Sequence, residues 1–327
     1  MVLIPTGGTI AHVARDRLDL ASYGDYGTFM QGHSLLERVP ETASVADVTV
    51  ADHEVLIGPR LGLDALLDLA RAVQGVAESQ APDGIVITRG TSTLEETSFL
   101  LSLTLQTDVP VVLTAAIRPP TGLSEDGSLN FLNAVRVAAS PRARGRGVLV
   151  VMNDAIFAPR DVTKAAGYRT NAFEARDLGP LGYADADGTV LFHHGHERPH
   201  TTSTEFVATS LGPLPRVDIV LSYVGADGAL IDAAVAAGAA GIVSAGFGSG
   251  KATALEEDAL DRALSKGIVV VQGSRVGSGR VIRRPVLAER GIVAAGDLLP
   301  WKARILLALA LTQTQNPDAL QDYFDRY

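Results

Sequence analysis

The sequence predicts an α/β protein with a larger amino-terminal, mostly parallel α/β domain and a smaller carboxyl-terminal α/β domain. Three observations carry this. Short apolar, β-branched runs such as Val2-Leu3-Ile4, Ile85-Val86-Ile87 and Val148-Leu149-Val150-Val151 read as strands buried on both faces. Segments of helical period alternate with them, as in βα units packed on a parallel sheet. At 327 residues the chain is also too long for one average core, so two domains are expected.

In chain order, the apolar runs place strands over 2–5, 47–52, 84–88, 110–115 and 147–152, with helices over 61–77, 93–106 and 127–139. The helix at 93 opens on Thr93-Leu94-Glu95-Glu96, whose spacing predicts a capping box that satisfies free backbone N–H groups. Residues 11–33 lack regular period and carry Tyr23, Gly24, Tyr26, Gly27 and Gly32, as a lid or binding loop would. Between about 180 and 215 Gly, Pro, Thr and His gather, which makes 189–214 the expected linker between domains over 1–188 and 215–327. Beyond it the alternation resumes, with strands near 217–223, 241–245 and 268–272 and helices near 228–238, 255–266 and 300–313.

Composition excludes several function classes. With 28 basic against 37 acidic side chains and a formal net charge of -9, the chain is not built for nucleic acid or an anionic membrane, both of which need clustered Lys and Arg. A small-molecule substrate is expected instead. There is no cysteine, hence no disulfide, no thiolate metal site and no cysteine nucleophile. No apolar run approaches the roughly 20 residues that span a bilayer, and a strand starting at Val2 leaves no room for a signal peptide. A cytoplasmic, soluble protein is the expectation.

The chemistry centres on two glycine-flanked threonine turns that follow strands, Thr6-Gly7-Gly8-Thr9 and Thr88-Arg89-Gly90-Thr91-Ser92-Thr93. Ligands of open α/β sheets bind at the carboxyl ends of strands, so both hydroxyls stand where chemistry happens in this architecture. A threonine hydroxyl is a weak nucleophile and needs a base or a neighbouring cation. Thr91 precedes a helix N-terminus, whose free N–H groups favour developing negative charge. Lys164, in Asp161-Val162-Thr163-Lys164 after the strand 147–152 and the Asn153-Asp154 turn, could lean over the same sheet end and serve as a base once burial depresses its pKa. Read singly, Thr9 and Thr91 are equally ordinary turn residues and Lys164 a solvated surface lysine. His193, His194, His196 and His200 suggest a metal cluster, but a Gly/Pro-rich segment does not hold ligand geometry by itself, and no metal is expected. Gly246-Phe247-Gly248-Ser249-Gly250-Lys251 is not a phosphate loop, because Ala245 and Ala252 occupy its first glycine and final Ser/Thr positions.

Taken together, Thr6-Gly7-Gly8-Thr9-Ile10-Ala11, the run from Ile87 to Thr97, Gly147 to Asp154, Arg160-Asp161-Val162-Thr163-Lys164, Gly241 to Gly246, Lys302-Ala303-Arg304 and Leu311-Thr312-Gln313-Thr314 resemble the bacterial L-asparaginase/glutaminase family along essentially the whole chain. The resemblance implies hydrolysis of a side-chain amide to carboxylate and ammonia without cofactor, in a homotetramer built from dimers that complete one another's sites. It implies Thr9 as nucleophile, Thr91 as the second catalytic threonine and Lys164 as the lysine that activates it. Tyr26 matches the loop tyrosine that assists Thr9, standing six residues before Gly32 as the family tyrosine stands before its glycine; Tyr23 is the alternative. Gly58, Pro59, Arg60, Gly90, Ser92, Ala116 and Ser249 fall at substrate-binding positions.

Four departures from the family pattern bear on specificity. Ser92 stands where an aspartate normally grips the substrate α-ammonium, and Arg89 where a histidine is usual. Pro59-Arg60 replaces Ser-Gln, and Ser249 replaces an asparagine. Asp to Ser and Gln to Arg each shift the subsite one unit positive. An unpaired charge in a desolvated site costs on the order of 2–5 kcal/mol, so binding of an ammonium is disfavoured unless Glu54, Asp64 or a partner subunit compensates. Three readings follow: an asparagine or glutamine amidohydrolase, the same chemistry on an amide lacking a free α-amino group, and a catalytically silent binding protein. Retention of Thr9, Thr91 and Lys164 favours an enzyme.

Overall fold

The computed structural model describes residues 1–26, 28–53 and 61–327, Tyr26 by its backbone alone, and the chain divides into two units, Met1–Ser210 and Leu211–Tyr327. In the first unit an eight-stranded sheet runs in the order Val190–Phe192, Gly182–Ala184, Ala155–Phe157, Val148–Met152, Val111–Thr114, Ile85–Thr88, Val2–Pro5 and Thr49–Val50. The last five are mutually parallel; the first three are added antiparallel. Every residue of Ile85–Thr88, Val111–Thr114 and Val148–Met152 is buried, which is why these strands are continuous apolar runs rather than alternating ones. Helices Leu63–Gln80, Leu94–Thr104 and Gly127–Ala139 accompany the parallel strands.

Strand order fixes where a site can form. From Val2–Pro5 the chain builds Thr49–Val50 on one side, then crosses to place Ile85–Thr88 on the other. The two central strands run level, Pro5 opposite Thr88, and their connections diverge in opposite directions. Such a switch point leaves a crevice outside the carboxyl ends of the strands.

The second unit has a four-stranded parallel sheet, Val217–Leu221, Gly241–Gly246, Val269–Ser274 and Val293–Ala294, and helices Ala229–Ala236, Ala254–Ser265, Pro300–Ala310 and Pro317–Arg326. Its core gathers Val220, Ile231, Ile242, Leu260, Val270 and Ile292. No helix among the described residues is long and apolar enough to cross a membrane.

Each strand and helix expected from the apolar pattern is present, with 47–52 reduced to Thr49–Val50 and 300–313 ending at Ala310. Two details are corrected. The segment expected to be linker from 189 opens instead on Val190–Phe192, which pairs with Gly182–Ala184 in the first unit's sheet. Its continuation is held there too, since Gln106 Nε2 donates to the carbonyls of Thr201 and Phe206 and Ala208 N–H donates to Thr104 O. The capping box expected at Thr93 is also absent: its hydroxyl accepts from Arg89 Nη2 at 2.8 Å and caps no backbone N–H. A capping box does form at Thr253, whose hydroxyl accepts from Glu256 N–H while Glu256 Oε2 accepts from Thr253 N–H.

Candidate active site

The two threonine turns touch at the switch point. Gly7 and Gly8 have φ of +85° and +95°, and a Cβ on Gly8 would stand 2.4 Å from Gly90 Cα. Glycine is therefore required at Gly8 twice over, by backbone conformation and by the approach of the second turn. Thr6 fastens the contact, its N–H and hydroxyl both donating to Thr88 O at 3.0 and 2.7 Å. Thr9 follows as the first residue of a single 3-10 turn, Thr9–Ala11.

Among the described residues, each hydroxyl has one polar partner of a different kind. Thr9 Oγ1 shares a 2.8 Å hydrogen bond with Tyr23 Oη. Burial raises the Tyr23 pKa, so its hydroxyl stays protonated and can both donate and accept. Thr91 Oγ1 accepts from Lys164 Nζ at 2.8 Å. Lys164 is delivered by a chain reversal: Val148–Met152 turns at Asn153-Asp154, both at positive φ, into the antiparallel Ala155–Phe157, and the chain then forms a small ribbon of Thr163–Lys164 with Phe173–Glu174. Its backbone N–H donates to Glu95 Oε1 at 3.2 Å. Burial lowers the Lys164 pKa, with the Glu95 charge opposing.

These groups line one cavity of about 410 Å³, which Thr9, Tyr23, Gly90, Thr91, Ser92 and Lys164 share. Tyr23, the alternative, is the described tyrosine in contact with Thr9, and the side chain of Tyr26 lies outside the described residues. Gly58, Pro59, Arg60 and Glu54 also lie outside them. Ala116 does not line the cavity as expected. It is fully buried in the first unit's core, and its neighbour Ile117 takes the wall. Asp64 is exposed on the first turn of its helix and is not a lining residue. Ser249 stands exposed in the second unit, in the turn closed by Phe247 and Lys251.

Other residues enter that single-residue reading missed. His12 lines the cavity with its ring 4.0 Å from Phe29 and edge-on to Tyr23 at 5.6 Å, and its Nδ1–H donates to Gly8 O at 3.2 Å. Burial lowers its pKa and keeps it neutral. Phe29 and Tyr168 complete an aromatic wall. The pairing His12↔Phe29 that builds this wall spans strands of two residues each, too short for a periodic signal. Arg89 does not line the cavity; it is completely buried behind the second turn. The four clustered histidines turn to different partners, His194 Nε2–H to Pro180 O, His193 edge-on to Tyr183, and His196 stacked on His200. No group of three or more potential metal ligands converges among the described residues.

Among the described lining residues there is an amine, Lys164, and no carboxylate. The arrangement offers two polarised hydroxyls, one beside a protonated phenol and one beside an amine of depressed pKa, at adjoining strand ends. That is equipment for acyl transfer: a nucleophile, a proton relay and a base.

Comparison with known proteins places the chain in one family along its length. Residues 1–197 match the family model described as Asparaginase, N-terminal, and residues 216–324 the Glutaminase/Asparaginase C-terminal domain. L-asparaginase 2 of Bacillus subtilis is 40% identical over 99% of this chain and 86% of its own length, and that of Escherichia coli 39% identical over 100% and 93%. Glutaminase-asparaginase of Pseudomonas fluorescens is 37% identical over 100% and 90%. A crystal structure described as a probable cytoplasmic L-asparaginase from Campylobacter jejuni superposes with a TM-score of 0.95 at 36% identity, covering 100% of this chain and 99% of that one.

Proposed function

The chain belongs to the asparaginase/glutaminase family, and from that premise we propose that it is an amidohydrolase that releases ammonia from a linear amide through a threonine nucleophile, with L-asparagine the default substrate. The observation that carries this reading is the pair of 2.8 Å contacts, Thr9 with Tyr23 and Thr91 with Lys164, facing one cavity. Thr9 attacks the amide carbon. Its proton passes by way of the Tyr23 hydroxyl to the leaving nitrogen, ammonia departs, and an ester on Thr9 remains. Water then attacks the ester, giving up one proton through Thr91 to the neutral Lys164 amine; the bond to Thr9 breaks, the water's second proton passes to the Thr9 oxygen, the carboxylate leaves, and Lys164 returns its proton to solvent. The amine is suited to this because burial favours its uncharged form. Thr9→Ala and Thr91→Val should each reduce ammonia release from asparagine by at least about 100-fold, the scale of a lost general acid–base or nucleophilic group. Activity of both variants within a few-fold of the parent would overturn the reading.

A second reading rests on the lining itself. With Ser92 in place of a carboxylate and no acidic group among the described lining residues, a substrate α-ammonium has no counter-charge there. The substrate class is then an amide lacking a free α-amino group. An ammonia-release screen across asparagine, glutamine, succinamate and neutral amides separates the two, and rapid turnover of asparagine at low KM excludes the second. Arg60→Gln combined with Ser92→Asp should raise kcat/KM for asparagine about tenfold or more, since one restored charge pair is worth upwards of 1.4 kcal/mol. No gain in the double variant defeats the charge argument.

A further inference from the structure

We propose that Arg89 is a positioning residue for the Thr91–Lys164 pair, acting from behind the turn that carries Thr91; the proposal builds on the reading of Thr91 and Lys164 as working groups. The Arg89 side chain is completely buried. Its Nε donates to Thr97 Oγ1 at 3.2 Å and its Nη2 to Thr93 Oγ1 at 2.8 Å, while Thr97 Oγ1 donates to Thr93 O at 2.7 Å. One planar cation therefore joins the end of the strand Ile85–Thr88 to the first turn of the helix Leu94–Thr104, spanning the Gly90–Ser92 bend.

A buried cation is a costly way to fill a core position, where an apolar side chain of similar length would pack without a desolvation penalty. What a leucine or methionine lacks is a rigid fork of donors that fixes two hydroxyls relative to each other. Thr93 is diverted to this fork from the capping role its position suggests. The turn that Arg89 fixes bears on both members of the pair. It carries Thr91 two residues before Thr93, and it carries Glu95, whose carboxylate accepts the Lys164 backbone N–H. Small displacements here matter, because a misplacement of about 1 Å can reduce the rate on the order of 100-fold.

The test uses the full chain with Thr93→Val, which removes the acceptor of the Arg89 Nη2, Thr93→Ser, which keeps it, and Arg89→Lys, which keeps the charge but not the fork. Two readouts are taken: kcat and KM for ammonia release from asparagine, and the side-chain NMR resonances of Lys164. The chain has four lysines, so Lys164 is assigned by its disappearance in Lys164→Arg. Thr93→Val and Arg89→Lys should lower kcat about 10- to 100-fold with KM changed less than about threefold, and should shift the Lys164 resonances, whereas Thr93→Ser should match the parent in both. If Lys164 resonates at the parent position in Thr93→Val and Arg89→Lys, or if Thr93→Ser falls as far as Thr93→Val, Arg89 is only structural and the proposal fails. Should the parent release no ammonia from any amide, the functional reading falls, and the Lys164 resonances still decide this one.

Discussion

At the scale of single residues, the two threonines are distinguished by what their neighbours can do with a proton. Tyr23 is held protonated by burial and can relay; Lys164 is held toward neutrality by burial and can accept. This has a sign that can be measured. The amine works only when uncharged, so with its pKa depressed the acid limb of the kcat profile should lie below the ordinary lysine range near 10.5. Lys164→Arg, charged at every accessible pH, should abolish the rate across the whole pH profile. A parent limb at the ordinary lysine value, or an active Lys164→Arg, contradicts the role of Lys164. The same shift has a stability consequence. Between the lowered folded pKa and the unfolded value the unfolded chain binds more protons, so this group adds stability as pH rises through that window. Of the site residues, Thr9 and Thr91 stood out as turn residues after strands, while Lys164 and a loop tyrosine, Tyr26 first and Tyr23 as the alternative, were singled out by the family resemblance. His12 was not, because a lone histidine has no pattern of its own until its neighbours in space are known, and Arg89, visible as a departure from the family's histidine, gave no sign of where its side chain lies.

At the scale of elements, what matters is how turns and short strands meet. The first and second threonine turns come into van der Waals contact only because Gly8 has neither a Cβ nor a restriction on positive φ. Gly8→Ala should therefore cost at least the 1–3 kcal/mol of a strained backbone position, plus displacement of the Gly90 turn. Urea unfolding measures the first, and loss of ammonia release with residual native circular dichroism measures the second. A Gly8→Ala protein with parent stability and rate would show that the contact is dispensable. The long apolar strands and amphipathic helices were readable in advance because burial on fixed faces imposes a period. The strands Ala155–Phe157, Gly182–Ala184, Val190–Phe192 and Val293–Ala294 were missed because they have two or three residues each and exist by virtue of the neighbours they pair with, and the helices Gly32–Arg38, Pro285–Glu289 and Pro317–Arg326 were missed as well, the last standing beyond the helix expected to end the chain. Asn153-Asp154 was the available signal for the first of these strands, since two consecutive residues at positive φ are what a tight hairpin demands.

At the scale of the whole molecule, we propose that the chain assembles as the homotetramer that the family resemblance implies. An exposed apolar surface supports it. The outermost strand of the second sheet, Val217–Leu221, leaves Ile219 and Leu221 in solvent, and Tyr223 and Val224 follow, the last 91% exposed. Apolar groups gathered on an edge strand and its exit loop call for cover. Light scattering should return four times the 34.2 kDa of one chain, and a fully active monomer would overturn the shared-site assembly. The sequence by itself determined the α/β class, the succession of its long elements and the identity of the two threonine turns, because those depend on local period, turn chemistry and the order of motifs along the chain. Only the tertiary structure decided that the turns abut at a strand-order switch, that Tyr23 reaches the Thr9 hydroxyl, that Arg89 lies behind the site rather than in it, and that Val190–Phe192 belongs to the sheet. Those are distances between residues remote in sequence, set by strand order and packing, which no local pattern encodes.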